Sequence, residues 1–295
     1  MGMGREGAGG RCRACGGATT ARFRKRGFAF VTCIVCGVIS VADPLPEAVD
    51  YDASYFSEAS ANGYAAYLQD RALIEANFTN RLDWIQSYAS GGRLLDVGAA
   101  YGFFVHLAGK AGFEASGLEP AADCADFARR ELGADLITGR IETAELPAGS
   151  FDVITMFDVL EHFEDPRLAL QRAARLLSPG GVLIVETGDT QALLARISGH
   201  RWYFFDPPQH LVFFSQKNLT RLASEVGFED LLGVGHIGRQ VSLRNFLFQF
   251  SRALGDGRSG AVLRRWAEQG RADRQFRVPD RGNAFVAAYR RGEAL

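Results

Sequence analysis

The sequence predicts an α/β fold: a largely parallel sheet with helices on both faces, preceded by a small cysteine-bound module. Three observations carry this prediction. The run Leu94 to Val105, LLDVGAAYGFFV, is a short apolar strand, a turn bracketed by Gly98 and Gly102, and a helix starting at Phe103. One βαβ step later a second strand-like run, Glu114 to Leu118, ends in Glu119. Ahead of both lie two Cys-x-x-Cys pairs, Cys12 with Cys15 and Cys33 with Cys36. A strand, a glycine turn and a helix in that order aim backbone N–H groups at a polar ligand. An acid at the next strand tip can accept hydrogen bonds from both hydroxyls of a ribose.

Composition narrows the classes. The chain has 295 residues, which suggests one large domain and a small one. Hydrophobic residues make up 47%, enough for a sizeable core. The formal net charge of -1 offers no basic excess for nucleic acid. No apolar run reaches the roughly 18 residues of a membrane span, so no membrane partner is expected. Residues 1–11, MGMGREGAGGR, lack the apolar core of a signal peptide and read as a disordered tail. A cytoplasmic protein with reduced thiols is the expectation.

In chain order, residues 12–42 read as a zinc-ribbon-like module. The spacing of the two pairs suits two tight turns that give four thiolates to one Zn²⁺. Gly16 and Gly37 follow the second cysteine of each pair, and Arg22 to Phe30 and Val38 to Val41 read as the strands. Disulfides are the rival reading, disfavoured in a reducing setting. Four cysteines leave no open coordination position, so the zinc is expected to be structural, supplying on the order of 10 kcal/mol to the module's folding. The larger domain is expected to fold without it. Cys124, alone on a helix, reads as packing.

Residues 43–92 read as a linker and a helical lead-in, with Tyr51, Tyr55 and Phe56 near its start and helical spacing ending at Gly91 and Gly92. The domain at 93–295 then alternates strand and helix. After Glu119 and Pro120 come a helix at Ala121 to Leu132, a strand at Leu136 to Thr138 and the loop Gly139 to Pro147. Phe151 to Phe157 is the fourth strand, followed by DVLEHFEDP. Strand tips of a parallel sheet face the ligand crevice, which makes Phe157, Asp158 and His162 candidate site residues. Glu161 and His162 are adjacent and are expected to point apart. A helix at Arg167 to Leu177, a turn at Ser178 to Gly181 and a strand at Val182 to Glu186 follow. The aromatic segment RWYFFDPPQHLVFFS, Arg201 to Ser215, is expected to wall the crevice, with Ser215 capping a helix at Gln216 to Val226. Strands at Glu229 to Val234 and Ala284 to Arg290 flank an insert at about 236–282 that reads as a lid.

The ligand can be narrowed. A dinucleotide wants G-x-G-x-x-G, whereas the spacing here is Gly98-x-x-x-Gly102 with Ala100 between. Asp96 before the turn would repel a pyrophosphate and suits an ammonium group. A ligand with a cationic amino-acid end and a ribose is S-adenosylmethionine. From Leu94 to Phe228 the sequence resembles the class I S-adenosylmethionine-dependent methyltransferases of the small-molecule branch. The L-E-H run at Leu160 to His162, the helix-P-G-G-strand order, and His210, Leu211, Phe213, Phe214 and Ser215 match patterns of that family. Asp206-Pro207-Pro208 does not match its D-P-P-aromatic motif for methylating bases, because Gln209 replaces the aromatic residue.

The resemblance implies a Rossmann-like seven-stranded sheet with its last strand inserted antiparallel. It implies a cofactor site of Tyr55, Asp96, Gly98, Gly102, Glu119, Pro120, Ile141, Glu142, Phe157 and Asp158. Arg140 stands where an acid is common in relatives, leaving Ile141 to pack on the adenine and Glu142 to accept from its amine. Methyl transfer from a sulfonium is an in-line displacement, in which the protein holds donor and acceptor about 3–3.5 Å apart. A hydroxyl acceptor needs a base, and histidine titrates near neutrality. His210, in the aromatic segment, is the first candidate and His162 the second. The expected activity is methylation of a small molecule, O-directed, in secondary metabolism or sugar modification. An RNA methyltransferase gripping its substrate through the basic run Arg22, Arg24, Lys25 and Arg26 is the alternative, and a non-catalytic cofactor-binding protein is the third. Oligomeric state is not legible.

Overall fold

A computed structural model of the chain describes residues 10–45, 67–243 and 283–293, the strand Gln275–Val278 and the single positions 247, 262 and 265. Tyr55, the start of the lead-in and most of the expected lid lie outside the described residues. The N-terminal strands are β1 (Thr19–Lys25), β2 (Phe28–Cys33) and β3 (Ile39–Val41), followed by helix α1 (Arg71–Ile85). The alternating part runs β4 (Gly92–Val97), α2 (Phe103–Lys110), β5 (Phe113–Glu119), α3 (Ala122–Phe127), β6 (Asp135–Thr138), β7 (Phe151–Phe157), α4 (Pro166–Leu176), β8 (Leu177–Gly188) and α5 (Leu193–Ser198). After the aromatic segment come β9 (Val212–Phe213), α6 (Gln216–Ser224), β10 (Phe228–Gly235), β11 (Arg239–Ser242), β12 (Gln275–Val278) and β13 (Ala284–Arg291).

Seven strands form the central sheet in the order β10-β13-β8-β7-β4-β5-β6. β4, β5, β6, β7 and β8 are parallel, and β13 runs antiparallel to both its neighbours. This is the expected architecture, inserted last strand included. Leu94, Leu95, Val153, Ile154, Ile184 and Val185 are fully buried, as strands covered on both faces require. Strand order reverses between β4 and β7, and a crevice opens at the carboxyl tips on either side of such a point.

Local sequence explains the helices beside that crevice. Asp165 caps α4 by accepting from Leu168 N at 2.9 Å, with Pro166 in the first turn. Ser215 and Asn218 form a reciprocal capping box on α6. Helix α3 begins after Ala121 and continues into a wider turn at Ala128–Leu132. The Ser178 to Gly181 run lies within β8 as an irregularity in its pairing with β7, instead of preceding the strand.

The cysteine module does not stand apart. β1, β2, β3 and β9 make one antiparallel sheet, with Ile39 opposite Phe213 and Ser40 opposite Val212. β9 comes from the aromatic segment, so the larger domain completes the module's sheet. Phe30, Val38, Ile39 and Cys33 share a core with Phe205, Phe213, Leu219 and Leu222. This corrects the expectation of an open aromatic wall: Trp202, Phe204, Phe205, Phe213 and Phe214 are all buried. Burying that much ring surface against the module's own phenylalanines outweighs leaving it over a wet crevice.

Candidate active site

The tips of β4 and β5 place two carboxylates side by side. Asp96 is buried and accepts from Thr155 Oγ1 at 2.6 Å. Burial, reinforced by the nearby charge of Glu119, pushes its pKa up to about 7. Glu119 is buried too, and accepts from the backbone N–H of Ala100 at 2.8 Å and of Ala121 at 3.1 Å. Burial raises its pKa despite those two donors and the charge of Arg140. Between the tips the chain turns sharply: Gly98, Ala100 and Gly102 have φ of 74°, 47° and 76°. A Cβ on Gly98 would sit 2.7 Å from Val159, so the glycine serves both the turn and the packing of the β7 tip.

Ile141 is buried in the core beside Leu118, and Pro120 is half-buried. Glu142 keeps Oε2 buried with no hydrogen-bond partner among the described residues. A buried acceptor left open in this way suits a ligand donor. Two buried acids, an open acceptor and a left-handed glycine turn fit a cationic amino-acid end, a ribose and an amine-bearing base.

At the β7 tip, Phe157 is half-buried and packs edge-on against Phe104 with centroids 4.9 Å apart. Asp158 has φ of 51° and receives Arg239 Nη2 on both oxygens at 2.9 Å. Although burial opposes ionisation, Arg239 and Arg81 hold Asp158 below the usual carboxylate range. Leu160–His162 forms a single tight turn. Glu161 and His162 are adjacent on this turn, yet their donor atoms come together. Donor atoms of Glu161, His162 and His210 lie within 4.8 Å of one another, because the segment carrying His210 folds back over the turn and Leu211 N donates to the Glu161 carbonyl at 2.8 Å.

The three groups differ in charge. Glu161 accepts from Thr187 Oγ1 at 2.8 Å, and Oε1 has no partner among the described residues. Burial, with Asp158 adding to it, pushes Glu161 up to about 8, so it keeps its proton near neutrality. Burial and the neighbouring His210 push His162 down to about 3, which leaves it a weak base. His210 is half-buried, with its ring 4.8 Å from that of His162 and edge-on to it. Its Nδ1 lies 2.7 Å from the Phe204 carbonyl, which can only accept. Nδ1 therefore carries the proton, and Nε2 is the basic nitrogen.

A buried ion network that sequence reasoning missed lies next to this tip. Arg81 of α1 donates to both Glu186 oxygens at 2.5 and 2.8 Å, and Arg239 of β11 also pairs with Glu186. None of Arg81, Glu186 and Arg239 belongs to a motif that the sequence marks out.

Among the described residues, two sets of side chains could hold a metal. Cys12, Cys15, Cys33 and Cys36 bring four sulfurs within 4.8 Å of one another, with Cys12 to Cys36 at 3.6 Å and Cys15 to Cys33 at 3.5 Å. Those separations are far from the roughly 2.05 Å of a disulfide. They are near the spacing of about 3.8 Å that a tetrahedron of sulfurs 2.3 Å from zinc requires. Glu161, His162 and His210 are a second donor set. Cys124 is fully buried and burial pushes its thiol up to about 12, as a packing residue. The basic run is engaged within the chain: Arg22 donates to Thr32, Arg24 to the Gly27 carbonyl, Lys25 to the Trp202 carbonyl and Arg26 to Asp206.

The chain is similar to known proteins in sequence and fold. The family model described as a methyltransferase domain matches residues 64–232. A ubiquinone biosynthesis O-methyltransferase of Ralstonia nicotianae is 34% identical over 188 residues, spanning 59% of this chain and 79% of the relative. Its namesake in Methylococcus capsulatus is 30% identical over 172 residues, spanning 54% and 72%. A SAM-dependent methyltransferase of Thermotoga maritima superposes with a TM-score of 0.52 at 22% identity, covering 77% of this chain and 94% of its own. A cyclase superposes with a TM-score of 0.50 at 21% identity, covering 85% and 89%, so the fold alone does not set the reaction.

Proposed function

Because the chain belongs to the methyltransferase-domain family, we propose that its S-adenosylmethionine-dependent methyl transfer goes to a hydroxyl oxygen of a small molecule, with His210 as the base. The observation that carries the reading is the buried pair Asp96 and Glu119 around the Gly98 turn. Asp96 would meet the ammonium group and Glu119 the ribose hydroxyls. Gly98 and Gly102 let the backbone pass close beneath the ligand. Pro120 and Ile141 would border the adenine, Glu142 would accept from its amine, and Phe157 and Asp158 would close the β7 side. Tyr55 remains a candidate from the lead-in. When bound, the cofactor supplies an electrophilic methyl group on its sulfonium. His210 Nε2 would take the proton from the acceptor hydroxyl, while His162 packs beside it in the neutral form. The relatives named as O-methyltransferases support oxygen as the acceptor atom.

The internal engagement of Arg22, Arg24, Lys25 and Arg26 favours a small-molecule acceptor over RNA. The four cysteines would hold one structural Zn²⁺, which suits a reducing, cytoplasmic setting. Among the described residues no helix is long and apolar enough to cross a membrane. Secondary metabolites, sugars and quinone precursors are the acceptors to test. Incubating a metabolite extract with enzyme and isotopically labelled cofactor should move label into an O-methyl product. Label in RNA alone, or in no product, would overturn the reading.

Two variants test the site. Glu119→Ala removes charged hydrogen bonds contributing roughly 1.5–3 kcal/mol each. It should weaken cofactor binding by calorimetry while leaving the circular dichroism spectrum unchanged. His210→Ala should lower kcat by about 10²–10⁴-fold with cofactor affinity retained. The donor set of Glu161, His162 and His210 supports a second reading, in which a divalent cation bound there polarises the acceptor. Loss of turnover on chelation, restored by Mg²⁺ or Mn²⁺ with the cysteine-bound metal still in place, would favour it over a histidine base.

A further inference from the structure

The hairpin tip of the cysteine module grips the segment that carries His210. Arg26 and Gly27 form its two-residue turn, both with positive φ, 50° and 85°, the mirror-image turn that tight hairpins favour. The hairpin end carries two cations, Arg26 in the turn and Lys25 as the last residue of β1. Arg26 Nη1 donates to Asp206 Oδ1 at 2.6 Å, and Lys25 Nζ donates to the Trp202 carbonyl at 2.8 Å. The gripped segment then folds onto His210 twice. The Phe204 carbonyl accepts from Nδ1 of the ring at 2.7 Å, and the Asp206 carbonyl accepts from the His210 backbone N–H at 3.1 Å. On the far side of His210 the module acts again: Val41 N donates to the Leu211 carbonyl at 2.9 Å, just before the β3–β9 pairing.

We propose that Arg26 is a positioning residue for His210, acting through Asp206 to hold the Phe204 carbonyl where it fixes the proton on Nδ1 and leaves Nε2 as the base. The carboxylate of Asp206 is nearly buried, with 12% of its side chain exposed. A charge-assisted bond to a guanidinium is the strong way to pin such a turn. Without it the 202–206 turn can shift, the carbonyl leaves the ring, and either nitrogen can carry the proton. The metal end of the same hairpin is tied to the larger domain by Arg167 Nε on the Ala14 carbonyl at 2.7 Å and Arg221 Nη1 on the Val35 carbonyl at 3.0 Å. The module is thus fixed at one end and grips the base segment with the other.

The inference rests on reading His210 as the base, so the test reads the ring directly as well as turnover. In the full-length protein, ¹⁵N spectra of labelled histidine should show His210 as a single Nδ1–H tautomer. In Arg26→Ala that signal should become a mixture, with kcat lower on the order of 10-fold, a fraction of what a whole base contributes. The cofactor dissociation constant and zinc content should stay at wild-type values. Arg26→Lys, which keeps the charge, should restore most of both readouts. Should Arg26→Ala fold poorly, Asp206→Asn breaks the same charged contact and should mix the tautomers alike. A wild-type tautomer in the folded variant overturns the proposal. Mixed tautomers with unchanged turnover would uphold the positioning and reject His210 as the base.

Discussion

Thr155 donates to Asp96 from 2.6 Å, yet burial and the Glu119 charge still raise the acid to about 7. An acid with a raised folded-state pKa takes up a proton on folding between its unfolded value, about 3.9, and its folded one. Its contribution to stability therefore falls as pH rises through that window and stays low above it. A bound ammonium group favours the opposite, charged form. Asp96→Asn should accordingly raise the melting temperature of the cofactor-free protein above pH 7, with the gain shrinking as pH falls toward 4. The same variant should bind S-adenosylmethionine weakly, and wild-type affinity should rise with pH through about 7. Differential scanning calorimetry and titration calorimetry on either side of that value check both. An Asp96→Asn protein that melts like wild type at every pH would show that no charge is stored there. The placement of Asp96 and Glu119 at neighbouring strand tips was legible because each closes an apolar run. The convergence of Glu161 with His162 and His210 was not. It depends on a tight turn after Asp158, at φ of 51°, and on a segment arriving from nearly fifty positions away.

Among the elements, the cysteine module shows the same division. The paired spacing, with a glycine after each pair, was enough to read a four-sulfur cluster, whereas the run Arg22 to Phe30, read as strand, is broken by the Arg26–Gly27 turn between β1 and β2. The pairing of β3 with β9 left no trace, because Val212–Phe213 is a two-residue strand with no period to detect. Nor could the aromatic segment reveal which way its rings turn. Its composition fits a crevice wall as well as a core, and only the phenylalanines of β1 and β2 decide for the core. Phe23 stacks on Phe30 at 4.5 Å and both approach Phe205. Cores shared in this way unfold together. Cys33→Ser should therefore abolish the zinc binding proposed for the module and lower the temperature of a single cooperative transition. It should also depress turnover more than cofactor affinity, since the Asp96 and Glu119 tips belong to other strands. Metal analysis with scanning calorimetry reads this. A second transition left at the wild-type temperature would mean that the larger domain folds independently after all.

Across the whole molecule, the alternation of apolar strands and amphipathic helices was legible and the parallel sheet follows from it, while the polar ties between distant parts were not. Arg81 lies on a helix with no clear apolar stripe, and Glu186 lies near the carboxyl end of β8. Arg239 opens the inserted hairpin and Asp158 sits at the β7 tip. Their contact joins the lead-in helix, the sheet and the insert at the crevice end. The side chains of Arg81 and Glu186 are only 5% and 2% exposed, so their charges are desolvated and depend on each other. Removing one partner of such a pair costs about 3–5 kcal/mol, whereas replacing both by apolar residues of similar size is close to neutral. Glu186→Leu alone should destabilise the protein by about that amount, because it strands Arg81 and takes a carboxylate from Arg239. Arg81→Met in the same chain should recover much of the loss, giving a coupling energy well above the roughly 0.5 kcal/mol expected of independent sites. Urea denaturation of the four proteins of this cycle measures it. The recovered stability should not restore activity in full, because Arg239 would then hold Asp158 at the β7 tip without Glu186 to anchor it. Additive destabilisation would show that solvent already screens the pair and that the three parts are joined by packing alone.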